Sequence, residues 1–200
     1  KDKETRFRQR YLDLIVNPES KKILETRSKV IKLIREYLHE NNFVEVETPI
    51  LQTKAGGAIA KPFKTHHNAL GLDMYLRIAP ELYLKRLIIG GFEKVFELGK
   101  IFRNEGIDQT HLPEFTMLES YQAYVDANSV MDMVEDMCTY VFKNLETDTK
   151  LHFGENTADF SGPWKRVSMF DMVSEKLNID IKFNSDFKKI SKELKKQGFD

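Results

Sequence analysis

The spacing of apolar residues predicts five helices along the chain. Over residues 19–41, apolar side chains recur at every third or fourth position, which places them on one helical face. Pro18 suits the first turn of this helix, and the two asparagines at residues 41–42 can end it. The same spacing predicts further helices over residues 81–89, 128–145, 169–177 and 187–197.

The predicted helix over residues 128–145 has a clear start and an apolar face. Asn128 and Ser129 can cap its first turn. Its apolar residues are expected to pack in the core, and they are Met131, Met133, Val134, Met137 and Val141. Cys138 is the one cysteine of the chain, which excludes a disulfide framework and a cysteine-based zinc site.

Alternating apolar and polar residues predict strands between these helices. Residues 43–47 alternate in this way, and the Thr-Pro pair at residues 48–49 ends the strand. Another strand is predicted over residues 74–78, and two longer runs at residues 94–104 and 115–124 predict an antiparallel hairpin. Strands interleaved with helices around a hairpin indicate an α+β domain, with a mostly antiparallel sheet flanked by helices.

Composition excludes several classes of protein. Charged residues make up 31% and hydrophobic residues 41% of the 200, a balance typical of globular proteins. The formal net charge is zero, which argues against a generally basic protein that coats nucleic acid. No apolar run approaches the ~20 residues that span a bilayer, and the charged N-terminus lacks a signal-peptide core. We therefore expect a cytoplasmic protein with no membrane partner.

Both ends of the chain suggest a piece of a longer protein. The sequence has no initiating methionine. It stops at Asp200, just after a lysine-rich stretch that resembles an unfinished helix. We therefore expect that further segments precede and follow residues 1–200.

The predicted hairpin carries the densest set of chemically useful side chains. Side chains two positions apart on a strand share a face, so Arg103 and Glu105 point the same way. Phe115, Glu119 and Tyr121 likewise share a face. If both sets face one cleft, they suit a nucleotide and an ammonium-bearing small molecule, since arginine binds phosphate and an aromatic ring stacks on a base. A surface hairpin with cross-strand ion pairs is the alternative.

The same residues resemble motif 2 of the class II aminoacyl-tRNA synthetases. The similarity lies in FRNE at residues 102–105, then His111, then FTMLE at residues 115–119. The predicted helix followed by FVEVETP resembles motif 1, so motif 1 would span about residues 28–49 and motif 2 about residues 94–124. Three further stretches are similar to lysyl-tRNA synthetases in particular: RQRYLDL at residues 8–14, GGAIAKPF at residues 56–63 and RIAPELYLK at residues 77–85.

The resemblance implies an enzyme that activates L-lysine with ATP and transfers the lysyl group from lysyl-adenylate to the tRNA for lysine. It also implies a homodimer with motif 1 at the interface. Motif 3 and the anticodon-binding domain of the family are absent from residues 1–200, so the resemblance implies a partial catalytic domain, incomplete at its C-terminus. The ligands of ATP-bound Mg²⁺ are expected beyond residue 200, with no metal ligand before it, and this piece is expected to be inactive alone.

Four residues match ATP-binding positions of the family. The resemblance implies that Arg103 bridges the lysine carboxylate and the α-phosphate of ATP, and that it is catalytic in this sense. Glu105 would hold the adenine amino group, and Phe115 would stack on the ring. His111 would lie in a loop over the β- and γ-phosphates. Leu112 stands where the family pattern has asparagine, which bears on the order of that loop.

The lysine-binding positions lie further along the same motifs. The resemblance implies that Gly57 lets the backbone approach the substrate and that Arg103 binds its carboxylate. Glu81 would take the α-ammonium group, and Glu119 with Tyr121 would take the ε-ammonium group. Ordinary roles remain open for two of these residues: Gly57 can serve a turn, and Glu81 can favour the start of its helix electrostatically.

Other polar residues are expected to have no special function. His66 and His67 lack metal-ligand spacing and matching partners, so we interpret them as ordinary residues at a strand end. The lysines of the last predicted helix are expected to form a solvated face rather than a tRNA contact. They are Lys188, Lys189, Lys192, Lys195 and Lys196.

Two other functions would use some of the same residues. One is a synthetase-like ligase that modifies elongation factor P, against which the pattern of residues 56–63 argues. The other is a non-catalytic module for dimerisation or regulation. The intact set of Arg103, Glu105, His111 and Phe115 argues against that module.

Overall fold

A computed structural model describes residues 2–108, 110–145, 147–182 and 186–199 of the chain. The chain divides into two compact units, Lys1–Asp159 and Phe160–Asp200. The helices of the described residues are α1 (Lys3–Arg8), α2 (Arg10–Val16), α3 (Pro18–Glu40), α4 (Glu81–Ile89), α5 (Ala127–Leu145), α6 (Met169–Leu177) and α7 (Phe187–Lys196). The strands are β1 (Val44–Glu45), β2 (Leu51–Gln52), β3 (Lys64–His67), β4 (Leu72–Leu76), β5 (Lys94–Phe102), β6 (Glu114–Gln122), β7 (Lys150–Phe153) and β8 (Asn156–Asp159). The predicted α+β class is confirmed.

Helix α3 and the β5–β6 hairpin enclose the core of the first unit. Tyr37 and Leu38, in the last turns of α3, are buried together with Phe43 and Phe96. Helix α5 packs on the same cluster, and the Tyr37 hydroxyl donates to the backbone oxygen of Met133 at 3.2 Å. This packing places the hairpin on a rigid base.

The main sheet has the order β1-β5-β6. Strands β5 and β6 pair antiparallel from Lys94 opposite Gln122 to Phe102 opposite Glu114, which confirms the predicted long hairpin. Strand β1 pairs parallel with β5 and is shorter than predicted. Beyond the end of β1, the Val46 amide donates a hydrogen bond to the backbone oxygen of Phe96 at 2.9 Å.

A second sheet, of order β2-β4-β3, leads into α4. Strand β4 covers Leu72–Leu76, so it begins and ends two residues earlier than the strand predicted over residues 74–78. Helix α4 begins at Glu81 directly after Pro80, as predicted. His66 lies in β3, and its Nδ1 atom is 2.8 Å from the Asp73 carboxylate on β4. The expectation that His66 has no matching partner was therefore wrong, because the cross-strand register brings Asp73 beside it.

Helix α5 starts at Ala127, one residue before the predicted cap. The Asp126 carboxylate accepts from the Ser129 amide at 2.9 Å, so Asp126 caps the helix in place of Asn128 and Ser129. Of the predicted core residues, Val141 is buried, Met133 and Met137 pack against the core, and Met131 and Val134 are exposed. Burial raises the pKa of the Cys138 thiol, as expected of a cysteine on a helix face.

The second unit contains α6 and α7, both predicted. Ser168 caps α6 and Asp186 caps α7 through their side-chain oxygens. The Trp164 indole donates to the backbone oxygen of Phe160 at 3.1 Å, and their rings are 6.0 Å apart. The five lysines of α7 are exposed, which fits a solvated face.

Two short N-terminal helices, α1 and α2, were not predicted. Their junction with α3 is held by Asp13, whose side chain is fully covered. The Asp13 carboxylate accepts from Arg6 Nε at 2.7 Å, Arg10 Nη1 at 2.7 Å and Asn17 Nδ2 at 2.6 Å. Polar contacts of this kind leave no apolar periodicity in the sequence. No helix in the described part of the chain is long and apolar enough to cross a membrane.

Candidate active site

The hairpin brings Arg103 and Phe115 to the same face. Phe115 lies opposite Ile101, so Arg103, two residues after Ile101, continues that face. The Arg103 amide donates to the oxygen of Pro113 at 2.8 Å, which extends the strand pairing. The guanidinium carbon of Arg103 lies 5.4 Å from the centroid of the Phe115 ring, within the range of a cation–π contact. The two side chains therefore form one stacked unit.

The Arg103 guanidinium keeps an unused donor. Its Nη2 atom donates to the oxygen of Ile78 at a long 3.5 Å. Its Nε atom is buried and has no hydrogen-bond partner among the described residues. Nearly all buried polar groups in proteins are paired, so an unpaired buried donor beside an open cleft suits an anionic ligand.

A cleft of about 660 Å³ opens beside this stacked pair. Its lining residues are Arg103, Glu105, Gly106, Ile107, Asp108, Thr110, His111, Leu112 and Phe115. The Glu105 carboxylate accepts from the Lys61 amide at 3.2 Å, which ties residues 56–63 to the cleft wall. All four predicted ATP-binding residues thus line one cleft of a size that suits a nucleotide.

The loop of the cleft is organised around Asp108. Its carboxylate accepts from the amides of Thr110 at 2.7 Å and His111 at 2.8 Å, and its Oδ2 atom is 2.8 Å from His111 Nδ1. The hydrogen bond from the Thr110 amide and the contact with His111 lower the pKa of Asp108 to about 2. His111 therefore has one ring nitrogen beside a carboxylate that stays charged. Leu112 is exposed at the edge of the cleft and does not disturb these contacts.

Glu119 and Tyr121 on β6 and Glu81 on α4 form an acidic group, called the acidic pocket below, and Glu119 and Tyr121 lie on the hairpin face of Phe115. The Tyr121 hydroxyl donates to Glu119 Oε2 at 3.1 Å. Burial raises the pKa of Glu119; the charges of Glu81 and Glu97 raise it further, whereas Arg103 lowers it. Burial also raises the pKa of Tyr121. A cation that enters the pocket would lower the pKa of both groups, since it stabilises their charged forms.

Gly57 packs against the first turn of α4. Its φ is +87°, and a Cβ atom on it would lie 3.0 Å from Glu81 Cβ and 3.1 Å from Ala79 Cβ. Glycine is thus needed both for its conformation and for space. Lys85 Nζ lies 2.7 Å from Glu81 Oε1 and 6.0 Å from the Tyr121 ring. The predicted lysine-binding residues are therefore brought together, although their individual roles stay predictions.

Sequence reasoning missed a buried ion pair beside the acidic pocket. Arg77, in the link between β4 and α4, pairs with Glu97 on β5, and both side chains are buried. Thr48 contacts both of them. A signal was present: Glu97 is a charged residue within the apolar run of β5, where a carboxylate must have a cationic partner.

The comparison with known protein families fits this geometry. The family of class II tRNA synthetases (D, K and N) matches residues 2–198. The chain belongs to this family. Among its relatives, the lysine–tRNA ligase of Prochlorococcus marinus subsp. pastoris is 52% identical over 200 residues, which are 100% of this chain and 39% of the relative. The enzyme of the same name from Clostridium tetani is 52% identical over 204 residues, 98% of this chain and 41% of the relative.

A third relative is likewise much longer than the part that matches this chain. The lysine–tRNA ligase of Shewanella loihica is 56% identical over 174 residues, which are 87% of this chain and 35% of the relative. The chain thus spans about two fifths of the length of the curated relatives it matches. Among the described residues of this synthetase chain, no group of three or more His, Cys, Asp or Glu side chains could hold a metal ion.

Proposed function

We propose that the protein that carries this chain is a lysine–tRNA ligase. It would activate L-lysine with ATP to lysyl-adenylate and then transfer the lysyl group to the tRNA for lysine, in the cytoplasm. The observation that carries the proposal is the position of Arg103. Its guanidinium lines the nucleotide-sized cleft, acts electrostatically on Glu119 in the acidic pocket and keeps a buried donor unpaired.

The first step needs this bridging position. A carboxylate oxygen of lysine attacks the α-phosphorus of ATP, the bond to the bridging oxygen breaks, and pyrophosphate leaves. Negative charges on the carboxylate and the α-phosphate approach each other in this step. Arg103 offsets both charges with one planar fork, and its contact with Phe115 holds it in place.

The remaining residues supply binding and orientation. Glu105 holds the adenine amino group, Phe115 stacks on the ring, and His111 lies over the outer phosphates. We assign the two ammonium groups of lysine to the acidic pocket, the α-ammonium to Glu81 and the ε-ammonium to Glu119 with Tyr121. The raised pKa of Glu119 supports this assignment, because a buried carboxylate gains most from a cationic ligand.

Mg²⁺ and the dimer partner complete the proposal. We assign the Mg²⁺ ligands to segments beyond residue 200, as the resemblance to the family implies, and derive no step through the ion. Motif 1, which includes the second half of α3 and β1, would form the interface of a homodimer. Residues 1–200 are then part of a catalytic domain.

Lysine-dependent exchange of pyrophosphate into ATP by the full-length protein tests this function. We expect exchange with lysine and a loss of roughly 10⁴ in specificity for norleucine, because the uncharged analogue leaves a buried carboxylate unpaired. Comparable rates with lysine and norleucine would contradict the pocket assignment. Exchange without any transfer to tRNA would favour the alternative ligase that modifies elongation factor P.

A further inference from the structure

The buried pair of Arg77 and Glu97 adjoins the acidic pocket through strand β5. Glu97 on β5 is opposite Glu119 on β6, so both carboxylates lie on the same face of the hairpin. Arg77 is 2% exposed and Glu97 is 4% exposed. Neither residue lines the nucleotide cleft, and neither has a role in the function proposed above.

The pair is held rigidly by three segments of the chain. Arg77 donates from Nε to the oxygen of Lys100 at 2.8 Å, and from Nη1 to the hydroxyl of Thr48 at 3.1 Å and to Glu97. The second carboxylate oxygen of Glu97 accepts from the Thr48 hydroxyl at 2.6 Å and from its amide at 3.2 Å. The contacts join the link before α4, the segment after β1 and the hairpin strand β5.

Gly99 gives independent support that the Arg77 guanidinium has a fixed place in the structure. It lies two residues after Glu97 on the same face of β5, and a Cβ atom there would collide with Arg77 Nη2. The backbone of Gly99 does not adopt the left-handed conformation that favours glycine. Glycine is needed at this position because the guanidinium fills the space that a side chain would take.

We propose that Arg77 and Glu97 are a positioning pair in which Arg77 offsets the charge of Glu97, so that Glu119, opposite Glu97 on the hairpin, stays charged for the ammonium group of the substrate. The proposal rests on the proposed function, in which Glu119 binds that group. Arg77 offsets part of the charge of Glu97, so that Glu119 faces a paired carboxylate rather than a second free one.

The other charges around Glu119 explain why this compensation matters. Glu81 from α4 and Glu97 from β5 raise the pKa of Glu119, and Arg103 lowers it. Tyr121 donates a hydrogen bond to Glu119, and Lys85 from α4 pairs with Glu81. A carboxylate without a cationic partner on the same face of the hairpin would raise the pKa of Glu119 further, because like charges disfavour the ionised form.

Two substitutions with opposite effects test the pair in the full-length protein. The measurement is the pH dependence of kcat/KM for lysine in pyrophosphate exchange, whose acid limb reports ionisation in the free enzyme. Glu97→Gln removes a negative charge, so we expect the limb to move to lower pH by about one unit. Arg77→Met removes the cation beside Glu97, so we expect the limb to move to higher pH, by less than one unit because the buried Glu97 then partly neutralises itself. In both variants, at pH values near the acid limb, the KM for lysine should change more than kcat.

The matched control is Glu114→Gln. Glu114 also lies on the hairpin, but it is exposed and pairs with Lys100 on the surface, so the limb should not move. Opposite shifts for the two buried substitutions support the positioning pair. Unchanged limbs, or shifts in the same direction, would overturn it. If Arg77→Met does not fold, Glu97→Gln against Glu114→Gln decides alone.

A direct titration separates this proposal from the proposed function. The pKa of Glu119 can be followed by ¹³C NMR of labelled carboxyl groups in the absence of lysine, with Glu119→Gln to assign the signal. If Glu119→Gln leaves the KM for lysine unchanged, the pocket assignment fails. The titration of Glu119 in the Glu97→Gln variant still tests the pair, because that measurement needs no substrate. A pKa equal to that of the unaltered protein would contradict the pair.

Discussion

A single arginine links the two halves of the site. Arg103 stacks on Phe115 in the nucleotide cleft and moderates the pKa of Glu119 in the acidic pocket. An arginine fork can engage two anions at once, whereas a lysine ammonium acts as a point charge. The proposed chemistry therefore depends on the shape of this side chain as well as on its charge.

We predict that Arg103→Ala lowers the rate of adenylate formation by roughly 10²–10³, the scale for loss of one preorganised donor. Arg103→Lys should recover little, because it cannot span both anions. Single-turnover measurement of adenylate in the full-length protein checks this. The control is Arg86→Ala, because Arg86 stacks on Tyr83 at 5.0 Å but is exposed. Near-normal rates in Arg103→Ala would show that Arg103 is only structural.

Gly57 allows a second prediction at the scale of one residue. Gly57→Ala would force a left-handed conformation, at about 1 kcal/mol, and would also push a Cβ atom against Glu81 and Ala79. We expect the KM for lysine to rise roughly tenfold, equivalent to about 1.4 kcal/mol of crowding, with less effect on the KM for ATP. Gly71→Ala is the matched control.

Gly71 separates the cost of a left-handed backbone conformation from the cost of crowding by the added Cβ atom. It also has a positive φ, of +58°, but nothing lies within 4 Å of a Cβ atom there. Gly71→Ala should therefore lower stability without changing the KM for lysine. Equal effects of the two substitutions on that KM would show that crowding at Glu81 is unimportant.

At the scale of elements, regular patterns were predictable and long-range polar contacts were not. The hairpin followed from strand alternation, but whether Phe115 shares a face with Arg103 was left open by the sequence and is decided by the register. The period of two residues carries such information only within one strand. The partnership of Arg77 with Glu97 depends on how separate segments meet, which no local pattern encodes. The same reason explains why α1 and α2 were missed.

The junction of α1, α2 and α3 gives a prediction about stability. The hydrogen bond from Arg6, followed by further polar contacts, holds the pKa of Asp13 well below its ordinary value of 3.8. A depressed pKa contributes stability above the unfolded pKa, and this contribution is lost as the pH falls through the folded pKa. Asp13→Asn should therefore lower the thermal midpoint at pH 7, and its difference from the unaltered protein should shrink below about pH 4.

Thermal unfolding followed by far-UV circular dichroism from pH 7 to pH 3 measures this difference. Glu4→Gln is the control, because Glu4 pairs with Arg8 in the same helices but both side chains are exposed. Exposed pairs contribute little to stability, so this control should unfold like the unaltered protein. A pH-independent effect of Asp13→Asn would mean that Asp13 acts through shape alone.

At the scale of the whole molecule, the proposed interface and the proposed chemistry depend on different parts of the protein. A groove of about 390 Å³ runs between α3 and the hairpin, and apolar side chains of both elements line it. Ile23 and Leu24 on α3 are also exposed. The groove supports the proposal that motif 1 forms a dimer interface, because Val30, Ile31 and Ile34 line it and lie within motif 1. Ile23 and Leu24 lie before motif 1. The ATP site, in contrast, would need residues beyond 200.

We predict that residues 1–200 expressed alone form a dimer but do not make lysyl-adenylate. Arg103 alone would not hold a triphosphate whose Mg²⁺ ligands and γ-phosphate cation we assign to later segments. Sedimentation velocity at several concentrations and lysine-dependent exchange measure the two halves of this prediction. A monomer at all concentrations would contradict the interface, and robust exchange would contradict the assignment of essential groups beyond residue 200.

The position of Trp164 has a practical consequence for such measurements. It is the one tryptophan of the chain, and it lies in the second unit, where its indole donates to Phe160. Intrinsic tryptophan fluorescence therefore reports the surroundings of Trp164 directly, whereas circular dichroism is dominated by the helices of the first unit. If the units unfold independently, the two transitions separate; if they unfold together, the curves coincide. The chain thus contains its own optical probe of cooperativity between its parts.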